Sequence, residues 1–129
     1  MRYALLIYVT PWESTAEEDA EIMAAYNAFT KDAVTADVMR GGEALHEAKT
    51  ATSVRVREGQ VMVTDGPFAE TKEEFGGYYL IEAENIDEAI KWAAKIPGAT
   101  RGTIEVRPVV DFEQTGMQAG VEAAAAVAG

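Results

Sequence analysis

The chain has 129 residues, 11 basic and 22 acidic, for a formal net charge of −11 and no cysteine. One domain of this length buries roughly two-thirds of the surface its unfolded chain exposes, so it needs no metal clip, and disulfides, thiol chemistry and cysteine-ligated zinc are excluded. The charge repels polyphosphates and anionic membranes across a Debye length of ~8–10 Å, so neither nucleic acid nor a membrane is an expected partner.

The first element is Arg2 to Thr10, apolar on both alternating faces: Tyr3, Leu5, Ile7 and Val9 on one, Ala4, Leu6 and Tyr8 on the other. That pattern predicts a central strand covered on both sides. The run is too short for a secretory core or a membrane span, and the cytoplasm is the default expectation. Ser14 and Thr15 each precede a glutamate by three residues, as a capping box does, and Ile22, Tyr26, Phe29 and Ala33 then form one stripe of an amphipathic helix ending near Asp37. Val38 to Thr50 is less regular, with Gly41-Gly42 as a break and Leu45 as an anchor. Ala51 to Arg57 and Gln60 to Thr64 predict a hairpin turning at Glu58-Gly59.

The stretch VTDGPFAETKEEFGGYYLIE follows, from Val63 to Glu82. Thr71 and Glu74 have the spacing of a capped helical turn, which would satisfy the charges between them. Gly77 to Glu82 is a further strand, apolar on both faces. Asn85 caps a second helix, with Ile86, Ala89, Ile90, Ala93 and Ile96 inward, and Pro97-Gly98 ends it. Thr103 to Val109 is the last strand, closed by Pro108. Residues 113–129 form an Ala- and Gly-rich tail in which helix-favouring alanines oppose glycines.

The order of strand, helix, two or three strands, helix and strand is that of a split βαβ, ferredoxin-like α+β domain with about one extra strand, over residues 1–112. Two helices cover one sheet face only. The doubly apolar strands therefore call for a second cover, and a partner's sheet in a homodimer is the simplest.

With no Cys and one His, only oxygen ligands remain for a metal, and no spaced acidic loop supplies them; no metal or cofactor is expected. Asp65 is the leading candidate for chemistry. An Asp that opens a turn commonly accepts from the N–H two residues on, but that residue is Pro67, which has none. Its carboxylate is left to reach the Phe68 N–H, pair with Lys72, stay in water or face a cavity. Partial desolvation beside an aromatic at the end of an inner strand would raise its pKa toward the range useful for general acid or base work. His46 lies in a loop that can line a cleft. Ser53, His46 and Asp65 make a formally complete triad that only geometry can recognise. Arg55, Arg57 and Arg107 would share one sheet face if their strands were neighbours, and would there bind a carboxylate or pair with Glu105.

The residues Asp65-Gly66-Pro67-Phe68-Ala69-Glu70-Thr71-Lys72-Glu73, then Gly76-Gly77-Tyr78-Tyr79-Leu80-Ile81, Ile86-Asp87-Glu88-Ala89 and Glu105-Val106-Arg107-Pro108, resemble the DGPF branch of the YCII-related family. The resemblance implies a ferredoxin-like dimeric α+β barrel in a small bacterial cytoplasmic protein. It also implies a protein acting on small organic molecules, and the residues read above then offer a cofactor-independent enzyme in which Asp65 moves a proton, His46 assists and Arg55 or Arg107 holds an anionic group, with Arg57, Phe68 and Lys72 as further ligand contacts. The alternative it implies is a non-catalytic binding or regulatory module linked to an extracytoplasmic-function sigma factor. The YCII branch carries its His in the first helix, where this chain has none.

Overall fold

The structure, a computed structural model, describes residues 1–113. Apart from Glu113, the Ala- and Gly-rich tail predicted from the sequence lies outside the described residues.

Strand β1 (Arg2–Val9) is central, hydrogen-bonded antiparallel to β5 (Glu74–Glu82) on one side and to β6 (Thr103–Pro108) on the other. Its two neighbours therefore run parallel to each other, joined through helix α2 (Ile86–Ala94). Strand β2 (Met39–Ala44) adds to the outer edge of β5, giving the order β2-β5-β1-β6. This is the strand order of a ferredoxin-like arrangement. Between β2 and β5 the chain inserts β3 (Thr52–Arg57) and β4 (Gln60–Asp65), which pair only with each other in a second, two-stranded sheet. The sequence predicts one extra strand at the sheet; the structure has two, and they leave it.

Alternation along β1 sets the layers. Tyr3, Leu5 and Ile7 point toward the helices and are buried with Phe29 of helix α1 (Ala16–Thr35), Ile81 of β5 and Ala89, Ala93 and Ile96 around α2. Phe29 packs tilted against Tyr79 and meets Trp92 edge-on, with ring centroids 4.9 and 6.2 Å apart. The other face carries Ala4, Leu6, Tyr78 and Leu80, in register across β1 and β5 and only half-buried.

The predicted stripe of α1 is present, with Phe29 and Ala33 buried. Thr15 is its N-cap: its hydroxyl accepts from the Glu18 N–H at 3.1 Å, and the Glu18 carboxylate accepts from the Thr15 N–H at 3.3 Å. Ser14 instead donates to the Asp19 carboxylate. Thr15→Ala removes the hydroxyl half of the box and leaves the Glu18 carboxylate on the residue 15 N–H, so its urea midpoint should fall by the equivalent of about 1 kcal/mol; an unchanged midpoint would assign the helix start to some other contact. In α2, Asn85 caps as expected, accepting from the Glu88 N–H at 2.9 Å, while Glu88 reaches back to the Glu84 N–H. Ile86 and Ile90, expected inward, are exposed at 43% and 51%. The helix meets the sheet through small side chains, Ala89 and Ala93, and that leaves the two isoleucines outside the contact.

Two loop expectations are corrected. Gly41-Gly42 does not break the chain but sits inside the edge strand β2, which bulges between Met39 and Gly41. A Cβ on Gly42 would stand 2.7 Å from the Tyr78 carbonyl, so the strand can approach β5 there only without a side chain. Thr71 to Glu74 forms no helical turn. Thr71 donates to the Glu73 carbonyl at 2.5 Å, and Glu74 already opens β5, opposite Val9. Among the described residues no helix is long and apolar enough to cross a membrane.

Candidate functional site

The segment after β2 returns across the end of the central strands. Leu45 N–H bonds the Gly76 carbonyl at 2.9 Å, and a 3₁₀ turn at Ala48–Thr50 follows, closed by the Thr50 hydroxyl on the Glu47 carbonyl at 2.7 Å. This fixes Leu45, His46 and Glu47 beside Tyr8, Glu74 and Phe75. The hairpin then rises from the same end. Its base is tied by the Ser53 hydroxyl to the Gly66 carbonyl, 2.8 Å, and by the Gly66 N–H to the Ala51 carbonyl, 2.7 Å. Gly66 has φ of +101°, a conformation L-residues rarely adopt, and it turns the chain out of β4 into Pro67 and Phe68.

Between these walls lies a cleft of about 910 Å³, lined on the body side by Tyr8, Leu45, His46, Glu74 and Phe75, and on the other by Ser53, Pro67 and Phe68. A smaller recess of about 260 Å³ adjoins it, shares His46, Glu47, Glu74 and Phe75, and ends on Trp12. Tyr8 and Phe75 meet as a tilted pair, 5.5 Å between centroids. Arg101 lies over the Trp12 ring, 3.8 Å from its centre. Thr103 donates to the Glu73 carboxylate at 2.8 Å, and Lys49 pairs with Glu47 at 3.0 Å. That hydrogen bond holds the Lys49 ammonium above its ordinary pKa.

Of the residues singled out from the sequence, His46 stands where both recesses meet, and Phe68 lines the larger one while remaining 81% exposed. Asp65 ends β4 opposite Thr52, is exposed, and borders neither recess, although Pro67 two residues on does. Strand β4 is not an inner strand, because it pairs with β3 alone. Of the four fates open to the Asp65 carboxylate, solvent is the one observed. Among the described residues neither it nor the His46 ring has a hydrogen-bond or ion-pair partner. Ser53 is committed to Gly66, so no triad forms.

The three arginines do not converge. Arg55 and Arg57 stand on the hairpin, Arg57 donating to its neighbour's carbonyl at 3.0 Å, whereas Arg107 lies on β6 opposite Ala4. Register also puts Asp65 on the hairpin side of Val54, Val56, Val61 and Val63, and the two arginines on the reverse. Lys72 is exposed in the loop before β5.

Tyr8, Glu74 and Phe75 are cleft residues that the sequence pattern does not mark. Tyr8 is expected on a covered strand face, and Glu74 at the box position of a turn capped by Thr71. The usable signal was the ETKEE run, whose acids outnumber its one base and leave Glu74 without an obvious partner.

The YCII-related domain model matches residues 1–113, the whole described body including the cleft. The chain belongs to the YCII-related family. An uncharacterised protein of Rhizobium meliloti (strain 1021) is 35% identical to it over 120 residues, covering 88% of this chain and 95% of that protein. In this YCII-related chain the DGPF residues, Asp65 to Phe68, form the exit of the hairpin, and the last two of them face the cleft.

Proposed function

We propose that this YCII-related protein binds a small organic molecule in the cleft between hairpin and body. One observation carries the proposal: the recess has the volume of a small-ligand site, and apolar Leu45, Phe68 and Phe75 wall it around the polar groups of His46, Ser53 and Glu74. We propose also that it works as a homodimer whose partner covers the face of Ala4, Leu6, Tyr78 and Leu80, as in a dimeric α+β barrel. Tyr8, on that same face, lines the cleft, so the partner would close the cleft's open side.

Binding without turnover is the better supported form. General acid or base work requires the acid held within reach of its partner or substrate. Here Asp65 is exposed and outside the recess, and His46 has no orienting partner among the described residues. An enzyme using Asp65 remains the form in which dimerisation brings that carboxylate to a neighbouring cleft. A regulatory module in a sigma-factor system is the form in which the bound molecule is a signal.

Protein-observed NMR of the full chain against a set of small aromatic and aliphatic compounds at millimolar concentration tests the site. Binders should shift the amides of His46, Ser53 and Phe75 together, and His46→Ala should weaken them roughly fivefold, the loss of one hydrogen bond of about 1 kcal/mol. Shifts confined to other surfaces, or no binder at all, would remove the cleft from consideration.

A further inference from the structure

Strands β3 and β4 form a ribbon with almost no cover. Every residue of the two except Ser53 is exposed, and among the described residues no other strand or helix packs closely on them. Register gathers Val54, Val56, Val61 and Val63 on one face, 57% to 67% exposed, and puts Arg55 and Arg57 on the other. A two-stranded ribbon is marginally stable at best in water, so a face this apolar calls for a cover.

The place of the ribbon in the fold indicates which cover. Its foot at Thr52 and Ser53 and its exit at Pro67 and Phe68 stand across the cleft from Tyr8 and Phe75. Those two rings are paired in register on the sheet face that neither helix covers, the face of Ala4, Leu6, Tyr78 and Leu80. On that face too Thr103, opposite Tyr8, donates to the Glu73 carboxylate and so fastens the chain returning from the ribbon. The ribbon is therefore rooted on the uncovered side of the sheet, and a partner seated on that side meets it. Four half-buried side chains offer well under the ~800 Å² that each member of a stable pair buries. The valines, each more than half exposed, hold more free apolar surface than the sheet face does. Charge favours a second copy: two arginines against Glu58 make the ribbon positive in a chain of −11, and the valine face can be buried while both arginines stay in water.

We infer that the β3–β4 ribbon is an arm that clasps a second copy of the chain, with its valine face laid on the partner subunit seated against Ala4, Leu6, Tyr78 and Leu80. This rests on the homodimer proposed above and adds the element that supplies most of its apolar contact. The arm also carries one wall of the cleft, so the second copy would brace that wall.

Val61→Lys tests the arm. In a lone subunit the ammonium stays in water; against a partner it is buried, and the dimer dissociation constant should rise at least about tenfold by sedimentation. The chain has no cysteine, so a benzophenone maleimide on Val61→Cys or on Arg55→Cys gives a second reading that does not depend on what a lysine does to the ribbon. On illumination the label on the valine face should yield covalent dimers, and the label on the reverse face few. A dimer weakened by Leu6→Lys but not by Val61→Lys, or equal crosslinking from the two labels, overturns the arm and leaves the sheet-face dimer standing. A monomeric wild-type chain overturns both and leaves the valines to a foreign protein.

Discussion

Leu6→Lys is expected to convert a dimer into a folded monomer. Leu6 lies midway along the central strand, with Tyr78 on one side of it and Glu105 on the other, on the sheet face that neither helix covers. In an isolated subunit a lysine there would stay in water and gain a cross-strand acid, so the fold should tolerate it. Against a partner's sheet the same ammonium would be buried among Ala4, Tyr78 and Leu80 and their counterparts. An uncompensated charge of that kind costs roughly 3 kcal/mol or more, about a hundredfold or greater in the dimer dissociation constant. Sedimentation of both proteins at micromolar concentration decides the matter. A wild-type chain already monomeric, or a variant that dimerises undiminished, would leave the second face to some other partner.

Leu5→Ala, one residue away, should behave in the opposite way. Leu5 has no exposed surface and points into the cluster of Tyr3, Ile7, Phe29, Ile81 and Ile96. Truncation removes its transfer free energy and leaves a cavity that the neighbouring rings fill only in part, a loss of about 2–5 kcal/mol. For a domain of this size that lowers the melting temperature on the order of 10 °C, a large share of the usual margin. The association constant, corrected for unfolded chain, should not move. Calorimetry across a concentration series separates the two effects, and a loss below about 1 kcal/mol would place Leu5 in a looser environment than its burial indicates.

The opposite faces of these adjacent leucines were legible in the sequence, because period-two alternation reports both faces of a strand at once. The caps at Thr15 and Asn85 were legible for a similar reason: each is a local exchange among residues three apart. Strand β2 was not. Its middle is Gly41-Gly42, which offers no side-chain pattern, and its place beside β5 depends on backbone approach. Nor did the local pattern of β3 and β4 say whether they join the main sheet or stand apart, since alternation records a strand but not its neighbours. The cleft was the least legible feature. Tyr8, His46, Ser53, Phe68 and Glu74 are far apart along the chain and meet only after the hairpin has been set aside from the sheet. Asp65 drew attention because Pro67 withholds the usual turn partner, and that inference about its hydrogen bonding holds; its desolvation required a burial that the described chain does not supply.

The separateness of the hairpin carries a consequence for how the cleft would respond to an occupant. No backbone ladder joins β3 and β4 to the four-stranded sheet, and the body is reached through the Ala51 and Gly66 connections at the hairpin's foot. The two walls of the recess thus belong to units of unequal cooperativity, one buried around Leu5 and Ile81, the other with its four valines in solvent. A molecule touching both walls would act as their missing cross-link. Its affinity would then include the ordering of an arm as well as the filling of a hole, so amide exchange in the hairpin, rather than any change in the sheet, would record whether the site is occupied.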